Sequence, residues 1–359
     1  MASSNECRRI SKEEVTISSK ALKSQQLKDE FFAVFDKAFL DILGPNPNIT
    51  LAVHQDWPFA HEAGVYIPSQ DAVYITSNRH QPQGFSEQTI KISKVSRQSD
   101  GRWRHEVIGL DHLMGNGGIN HDGGVLLCAQ GSKTEPGGLV HMDVEPPYST
   151  RTLVDGFHGR TFSSVNDVVL HTDGSIWFTD PIYGYEQGFR PKPQLPCQVY
   201  RLEPESGDIR VVADGFGRPN GLCFSPDEKT LYITDTDLIH GDGTVDLTRA
   251  GTIYAFDVID RHGSQFLANK RLFAFADSGI PDGIKCDLEG NVYSGCDDGV
   301  NVWNAGGRLI GKIMIPGGVA NFCFTKKGEM VLLNETRLWV VTIDERRQGA
   351  LLANMNIPV

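Results

Sequence analysis

Six oxygen-bearing residues recur at one register along this chain of 359 residues. Asn166 stands eight residues before Gly174 in "NDVVLHTDG", Asn220 eight before Glu228, Asp282 eight before Gly290, Asn116 eight before Gly124 and Glu62 eight before Gln70. Asn321 stands seven before Gly328. Each precedes a short apolar run that ends in a polar turn: "PSQD", "NHDGG", "HTDG", "SPDEK", "DLEG" and "TKKG". One Asn or Asp beside a glycine is an ordinary turn signal. Six in register, with Glu62 where no turn preference explains it, form a set. Two carboxylates and several amide carbonyls make an all-oxygen donor group. That group suits one hard divalent cation, Ca²⁺ first, with Mg²⁺, Mn²⁺ and Zn²⁺ as alternatives.

Such a set does chemistry only if the fold gathers it. From about residue 49 the chain reads as short strands rich in Val, Ile, Tyr, Phe and Trp, punctuated by Gly, Asp, Asn and Pro. After each turn comes a more apolar strand: "AVYITSN", "VLLCAQG", "SIWFTDP", "TLYITDT", "NVYSGCD" and "MVLLNET". Further strands follow, such as "QVYRLEP" and "TIYAFDV". Units of about four strands repeat at roughly 40–60 residues, the spacing of propeller blades. The fold class is therefore all-β, a six-bladed β-propeller. The first strand of each blade lines the central channel, so the six positions converge on the axis. The last unit is one strand short, and "NITLAVH" is expected to complete it and close the ring. Residues 1–45 read as an N-terminal extension with one helix, over "ALKSQQLKDEFFAVFDKAFLDILG", and residues 46–359 as the propeller.

The formal net charge of −11 gives no support to nucleic-acid or anionic-membrane binding. No apolar run approaches the roughly 18 residues of a membrane span. The polar start "MASSNECRRISKEEVTISSK" lacks the apolar core of a secretory signal. The seven cysteines are odd in number and form no CxxC pair. Buried free thiols in a reducing, cytoplasmic compartment are the expectation. Nothing implies an oligomer. A GxSxG elbow and a phosphate-binding GxxxxGK[ST] loop are both absent. The glycine-rich "GNGG" at 115–118 enters a strand, so it belongs to blade geometry.

Four ordered motifs, "HEAGVYIP", "SSVNDVVLHTDGSIWFTDPIYG", "GRPNGLCFSPDEKTLYITDT" and "GIPDGIKCDLEGNVYSGCDDGVNVW", resemble the gluconolactonase/senescence-marker-protein-30 family, particularly its fungal lactonohydrolase-like members. The resemblance runs from about residue 55 to 343. It implies a six-bladed propeller with one catalytic divalent metal on the axis, hydrolysing small-molecule lactones; related members hydrolyse phosphotriesters and organofluorophosphates. Carried onto this sequence, it makes Glu62, Asn220 and Asp282 metal ligands, and Asn166 a ligand or a substrate contact. The sequence departs from the family at Glu62-Ala63-Gly64, where Glu-Gly-Pro is usual, and at Ser164-Val165-Asn166-Asp167, where Ser-Pro-Asn-Asp is usual.

The chemistry that follows is lactone opening by a water activated at the metal, with Asp282 as ligand and general base and Asn166 beside it at the reacting centre. Asn116 and Asn321, the remaining spokes, face the substrate. His112, His121, Asp180 and Tyr183 are the candidates on surrounding loops to contact the substrate or to protonate the leaving alkoxide. Two alternatives stand beside this reading: phosphotriester hydrolysis at the same site, and a non-catalytic binding propeller with a structural metal.

Overall fold

The strands expected from the repeats assemble into six antiparallel blades, five of four strands and one, blade 5, widened to six by two N-terminal strands, in a computed structural model that describes residues 8–9, 32–81, 84 and 87–359. The inner strands of blades 1 to 6 are Glu62–Ile67, Gly115–His121, Val168–Leu170, Pro219–Phe224, Ile284–Cys286 and Asn321–Phe324. The second strands are Ala72–Thr76, Gly124–Ala129, Ile176–Asp180, Thr230–Asp235, Val292–Cys296 and Glu329–Asn334. Strand four of blade 6 is Asn48–His54, which pairs antiparallel with Arg337–Thr342 from the other end of the chain. "NITLAVH" thus closes the ring as expected. A closed ring leaves no inner sheet edge to pair with another chain.

Large side chains fill the wedges between blades. Trp177 of blade 3 meets Phe224 of blade 4 edge-on at 5.5 Å, and within blade 3 Phe178 stacks on Tyr200 at 5.3 Å. All three of Trp177, Phe178 and Tyr200 are fully buried. Burying each such side chain contributes roughly 1.5–3 kcal/mol.

The N-terminal segment differs from the expectation. Of the helix read over residues 21–44, the described part, residues 32–44, is helical only at Lys37–Leu43, capped by Asp36 accepting the Ala38 N–H and ended at Gly44. Residues 21–31 lie outside the described set. Phe32–Val34 is a strand that extends blade 5, with Phe32 opposite Ile313 and Val34 opposite Gly311. The open edge of that blade offers hydrogen bonds to a run of aromatic and β-branched residues, and tertiary pairing overrides the helical spacing. Phe39 lies against Gly311, where any side chain would collide with its ring. Two short helices had no clear sequence signal, Tyr183–Glu186 and Ala350–Asn354. The second closes the far end of the channel. There Leu352, 4% exposed, packs against the wall, beside a cavity of about 50 Å³ lined by Val65, Ile119, Leu222, Cys223 and Cys286.

The described cysteines are all free, and all but Cys197 are buried, as expected; Cys7 lies outside the described residues. No described helix is long and apolar enough to cross a membrane.

Candidate functional site

The strand directions put the six register positions at one end of the channel. Each inner strand starts there, turns at the opposite face, and the second strand returns. Every junction between neighbouring blades carries a hydrogen bond beside a register position. Thr76 Oγ1 donates to the Asn116 carbonyl at 2.9 Å, Thr179 Oγ1 to that of Asn220 at 2.7 Å, and Thr234 Oγ1 to that of Asp282 at 3.1 Å. The Gly117 N–H donates to the Asn166 carbonyl at 2.8 Å and the Gly283 N–H to that of Ala320 at 2.9 Å. Asn321 Nδ2 closes the circle by donating to Glu62 Oε2 at 2.7 Å. The repeated Thr at the end of "YIT", "WFT" and "YIT" is the sequence signal for three of these contacts.

The glycines after Asn116, Asn220 and Asp282 are not turn residues. A Cβ on Gly117 would lie 2.5 Å from the Asn166 carbonyl oxygen and Asp167 Oδ1, one on Gly221 2.5 Å from the Asp282 carbonyl oxygen, and one on Gly283 2.3 Å from the Asn321 side chain. None of the three has a positive φ. They are glycines because the inner strands crowd together at the axis.

Buried polar oxygens normally have partners. Here four do not: Asn116 Oδ1, Asn166 Oδ1, Asp167 Oδ2 and Asp282 Oδ1. Asn220, 5% exposed, makes no side-chain hydrogen bond among the described residues. Asn321 departs from the expected spoke. Its Oδ1 accepts the Phe322 N–H at 2.8 Å, which turns its amide nitrogen toward Glu62. Asn321 therefore braces Glu62 and offers no oxygen to the axis.

The carboxyls repel one another. Burial first, then Glu62 and Asp167, hold Asp282 well above the usual carboxylate range. Burial first, then Asp167, raises Glu62, although His61 and Asn321 oppose the shift. Asp167 is raised by burial against the pull of Lys285. Beside Glu62, His61 Nδ1 lies 2.7 Å from Glu335 Oε1. Burial alone would discharge this imidazole, yet Glu335 and the nearby acids bring its pKa up to about 9. A cation would reverse the logic of these carboxyls by favouring their charged forms. The unpartnered oxygens fit such an ion. No group of three or more His, Cys, Asp or Glu poised for a metal occurs among the described residues.

The loop candidates separate. Asp180 is fully buried and accepts the Ser163 and Ser164 N–H groups at 2.9 and 2.7 Å, so it pins the entry loop of blade 3 and touches no open space. Asp235 does the same for Gly217 and Arg218 in blade 4. Tyr183 stands at the mouth near enough to Asp282 to feel its charge, with its hydroxyl bound to Thr236. His112 is exposed on the loop before blade 2. His121 lies at the other end of its strand, with its Nδ1 3.1 Å from His141 Nδ1, away from the register positions.

Sequence reasoning passed over two residues. Asp167 occupies the place that glycine holds after Asn116 and Asn220. Period-2 alternation turns a neighbour away from the axis, but the strand begins only at Val168, so both Asn166 and Asp167 face inward. Lys285 lies 3.4 Å from Asn321 Oδ1 and acts on Glu62 and Asp167. A lone lysine inside the apolar strand "IKC" was its signal.

Together, fold and site define a class: a six-bladed propeller with an oxygen-walled axial centre. Within that class the chain belongs to the SMP-30/gluconolactonase/LRE-like family, whose sequence profile matches residues 52–342. This is the family the motifs pointed to. Lactonohydrolase oryL of Aspergillus oryzae is 32% identical over 311 residues, covering 79% of this chain and 67% of that protein. The gluconolactonase of Zymomonas mobilis is 30% identical over 227 residues, 60% of this chain and 59% of that protein. A solved gluconolactonase from Xanthomonas campestris superposes with a TM-score of 0.68 at 26% identity, covering 88% of this chain and 95% of that one. A calcium-binding regucalcin from Agrobacterium tumefaciens shares the fold, with a TM-score of 0.58 at 16% identity over 82% of this chain and 94% of that one.

Proposed function

We propose that this protein is a lactone hydrolase whose axial oxygens hold one divalent cation, Ca²⁺ first. The names of its relatives support the reaction class: a lactonohydrolase and gluconolactonases. The observation that carries the metal centre is the group of four buried, unpartnered oxygens on Asn116, Asn166, Asp167 and Asp282. Glu62, Asn220 and Asp282 hold the ion, with Asn166 at or next to it. When bound, the cation polarises the lactone carbonyl and lowers the pKa of water.

The chain's own residues do the rest. Asn321 locks the Glu62 carboxylate in one orientation. The Thr179 and Thr234 hydroxyls fix the backbone of Asn220 and Asp282. Asp282 Oδ1, free of any hydrogen bond, is the atom that takes the proton from the attacking water. Asn116 and Asn166 offer amide groups to the ring substituents of the lactone. The test is a lactone panel assayed before and after chelation, with Ca²⁺, Mg²⁺, Mn²⁺ and Zn²⁺ added back singly. Ring opening that disappears with chelator and returns with one ion is the expected result. Lactone opening indifferent to chelation removes the metal. No opening of any lactone by the ion-loaded protein removes the reaction.

A further inference from the structure

Two of the arginines around the mouth are buried and saturated. The Arg190 guanidinium donates to the carbonyls of Ser163, Ser132, Glu135 and Phe162. Arg218 is clamped between Glu186 and Asp237. Both are buried and serve the fold.

Arg79 is different. It lies on the connection between the second and third strands of blade 1, and its Nη2 reaches to 3.5 Å from the Gly241 carbonyl oxygen, on the corresponding connection of blade 4. In a ring of six, blades 1 and 4 face each other, so the side chain lies across the mouth above the register positions. Its backbone is held: Arg79 N–H donates to Asn78 Oδ1 at 2.8 Å, Asn78 N–H to the Pro58 carbonyl at 2.9 Å, and Asn78 Nδ2 to both Glu335 oxygens. On the far side of this connection Gln88 Nε2 donates to the Gln187 carbonyl at 3.0 Å. Gly241 in turn donates to Glu186 at 2.7 Å and packs on the Tyr183 carbonyl, so the target of Arg79 is fixed as well. Among the described residues the guanidinium has no other hydrogen bond and no carboxylate at ion-pair distance. Glu335, the acid whose charge reaches it, is already engaged by His61 and Asn78.

Charge balance gives the unused donors a purpose. Lys285 and a divalent cation would neutralise Glu62, Asp167 and Asp282, Arg218 and Arg249 balance Glu186 and Asp237, and the His61–Glu335 pair is neutral by itself. Arg79 then leaves one positive charge at the mouth. A planar guanidinium with free donors matches a carboxylate or phosphate.

We propose that Arg79 anchors the substrate and selects lactones that carry an anionic substituent on the ring. This rests on the lactonase reading above and deepens it. The anion lies against Arg79 while the ring carbonyl descends to the axial centre.

The experiment compares γ-butyrolactone with γ-carboxy-γ-butyrolactone, which share one ring, on the Ca²⁺-loaded full chain. The readout is the ratio of kcat/KM for the carboxylated lactone over the neutral one. Wild type is expected to favour the carboxylated substrate. Arg79→Gln should lower the ratio by roughly 10- to 100-fold, the size of a charge-assisted hydrogen bond, with Arg79→Lys in between. A ratio in Arg79→Gln within about threefold of wild type overturns the proposal. If wild type opens neither of these two lactones, the lactone panel above decides the reaction reading, and calorimetric binding of α-hydroxyglutarate, the ring-opened product, decides on Arg79 alone. Binding weakened tenfold or more in Arg79→Gln supports the anion anchor. Equal binding, or none to wild type, overturns it.

Discussion

At the entry end of the inner strands the axis is walled by Asn116, Asn166, Asp167 and Asp282, with side-chain oxygens that no protein donor reaches. At the exit end of the same strands it is walled by Val65, Ile119 and Leu222 and plugged by Leu352. Only a few residues separate the two ends, about 3.3 Å of strand each. The entry end holds polar groups whose burial is uncompensated by protein. The exit end holds apolar groups whose burial is the usual driving force of folding. Strain from the first is tolerated because the second, with the packed wedges between blades, fixes the ring.

Substitutions at the two ends should therefore fail differently. The largest effect is expected at Asp282. Asp282→Asn keeps one coordinating oxygen but loses the charge and the basic atom. At saturating cation, kcat should stay low by roughly 10²–10⁴-fold. Asn220→Ala should weaken cation binding, with activity returning as cation is added. If excess cation rescues both variants equally, Asp282 is a ligand and not the proton acceptor.

At the exit end, Leu352→Ala should cost about 2–5 kcal/mol in urea unfolding, with kcat per folded molecule unchanged. A selective loss of kcat would mean that the plug and the entry end are coupled.

Asp180 sharpens the contrast between buried acids with donors and buried acids without. Asp180→Asn turns an amide N–H₂ toward one of the two backbone donors and should cost about 1–3 kcal/mol at low pH. Burial pushes the Asp180 carboxyl up to about 7, against the opposing pull of those N–H groups and Arg190. The unfolded chain ionises near pH 4. Between about pH 4 and 7 the folded state therefore holds a proton that the unfolded state has lost, and wild-type stability declines as pH rises. The asparagine variant lacks this decline, so the gap between the two should narrow over that window. Parallel thermal-stability curves from pH 4 to 7 would contradict the shifted carboxyl.

The smallest effects belong to the threonine contacts. Thr179→Val and Thr234→Val each remove a hydroxyl that positions a register residue from the preceding blade. Each should lower stability by about 1 kcal/mol. Calorimetric Ca²⁺ titration should show a few-fold loss of affinity. Unchanged affinity in both would leave these hydroxyls as blade mortar only.

The alternation of apolar residues and turn signals sufficed for the six sheets, and the missing strand of blade 6 was legible because five units had four strands and one had three. The eight-residue register likewise singled out Glu62, Asn116, Asn166, Asn220 and Asp282, the positions that the inner strands gather at one end of the channel. Local pattern could do this because strand period and blade repeat are properties of neighbours in sequence. Three things were decided only in three dimensions. Phe32–Val34 became a strand because blade 5 had an open edge for it. Asn321 became a brace because the Phe322 N–H turned its amide toward Glu62. Asp167, Lys285 and Arg79 joined the site because chain ends and loops from blades far apart in sequence meet at one axis, where burial and mutual charge, which have no local signature, set what each side chain does.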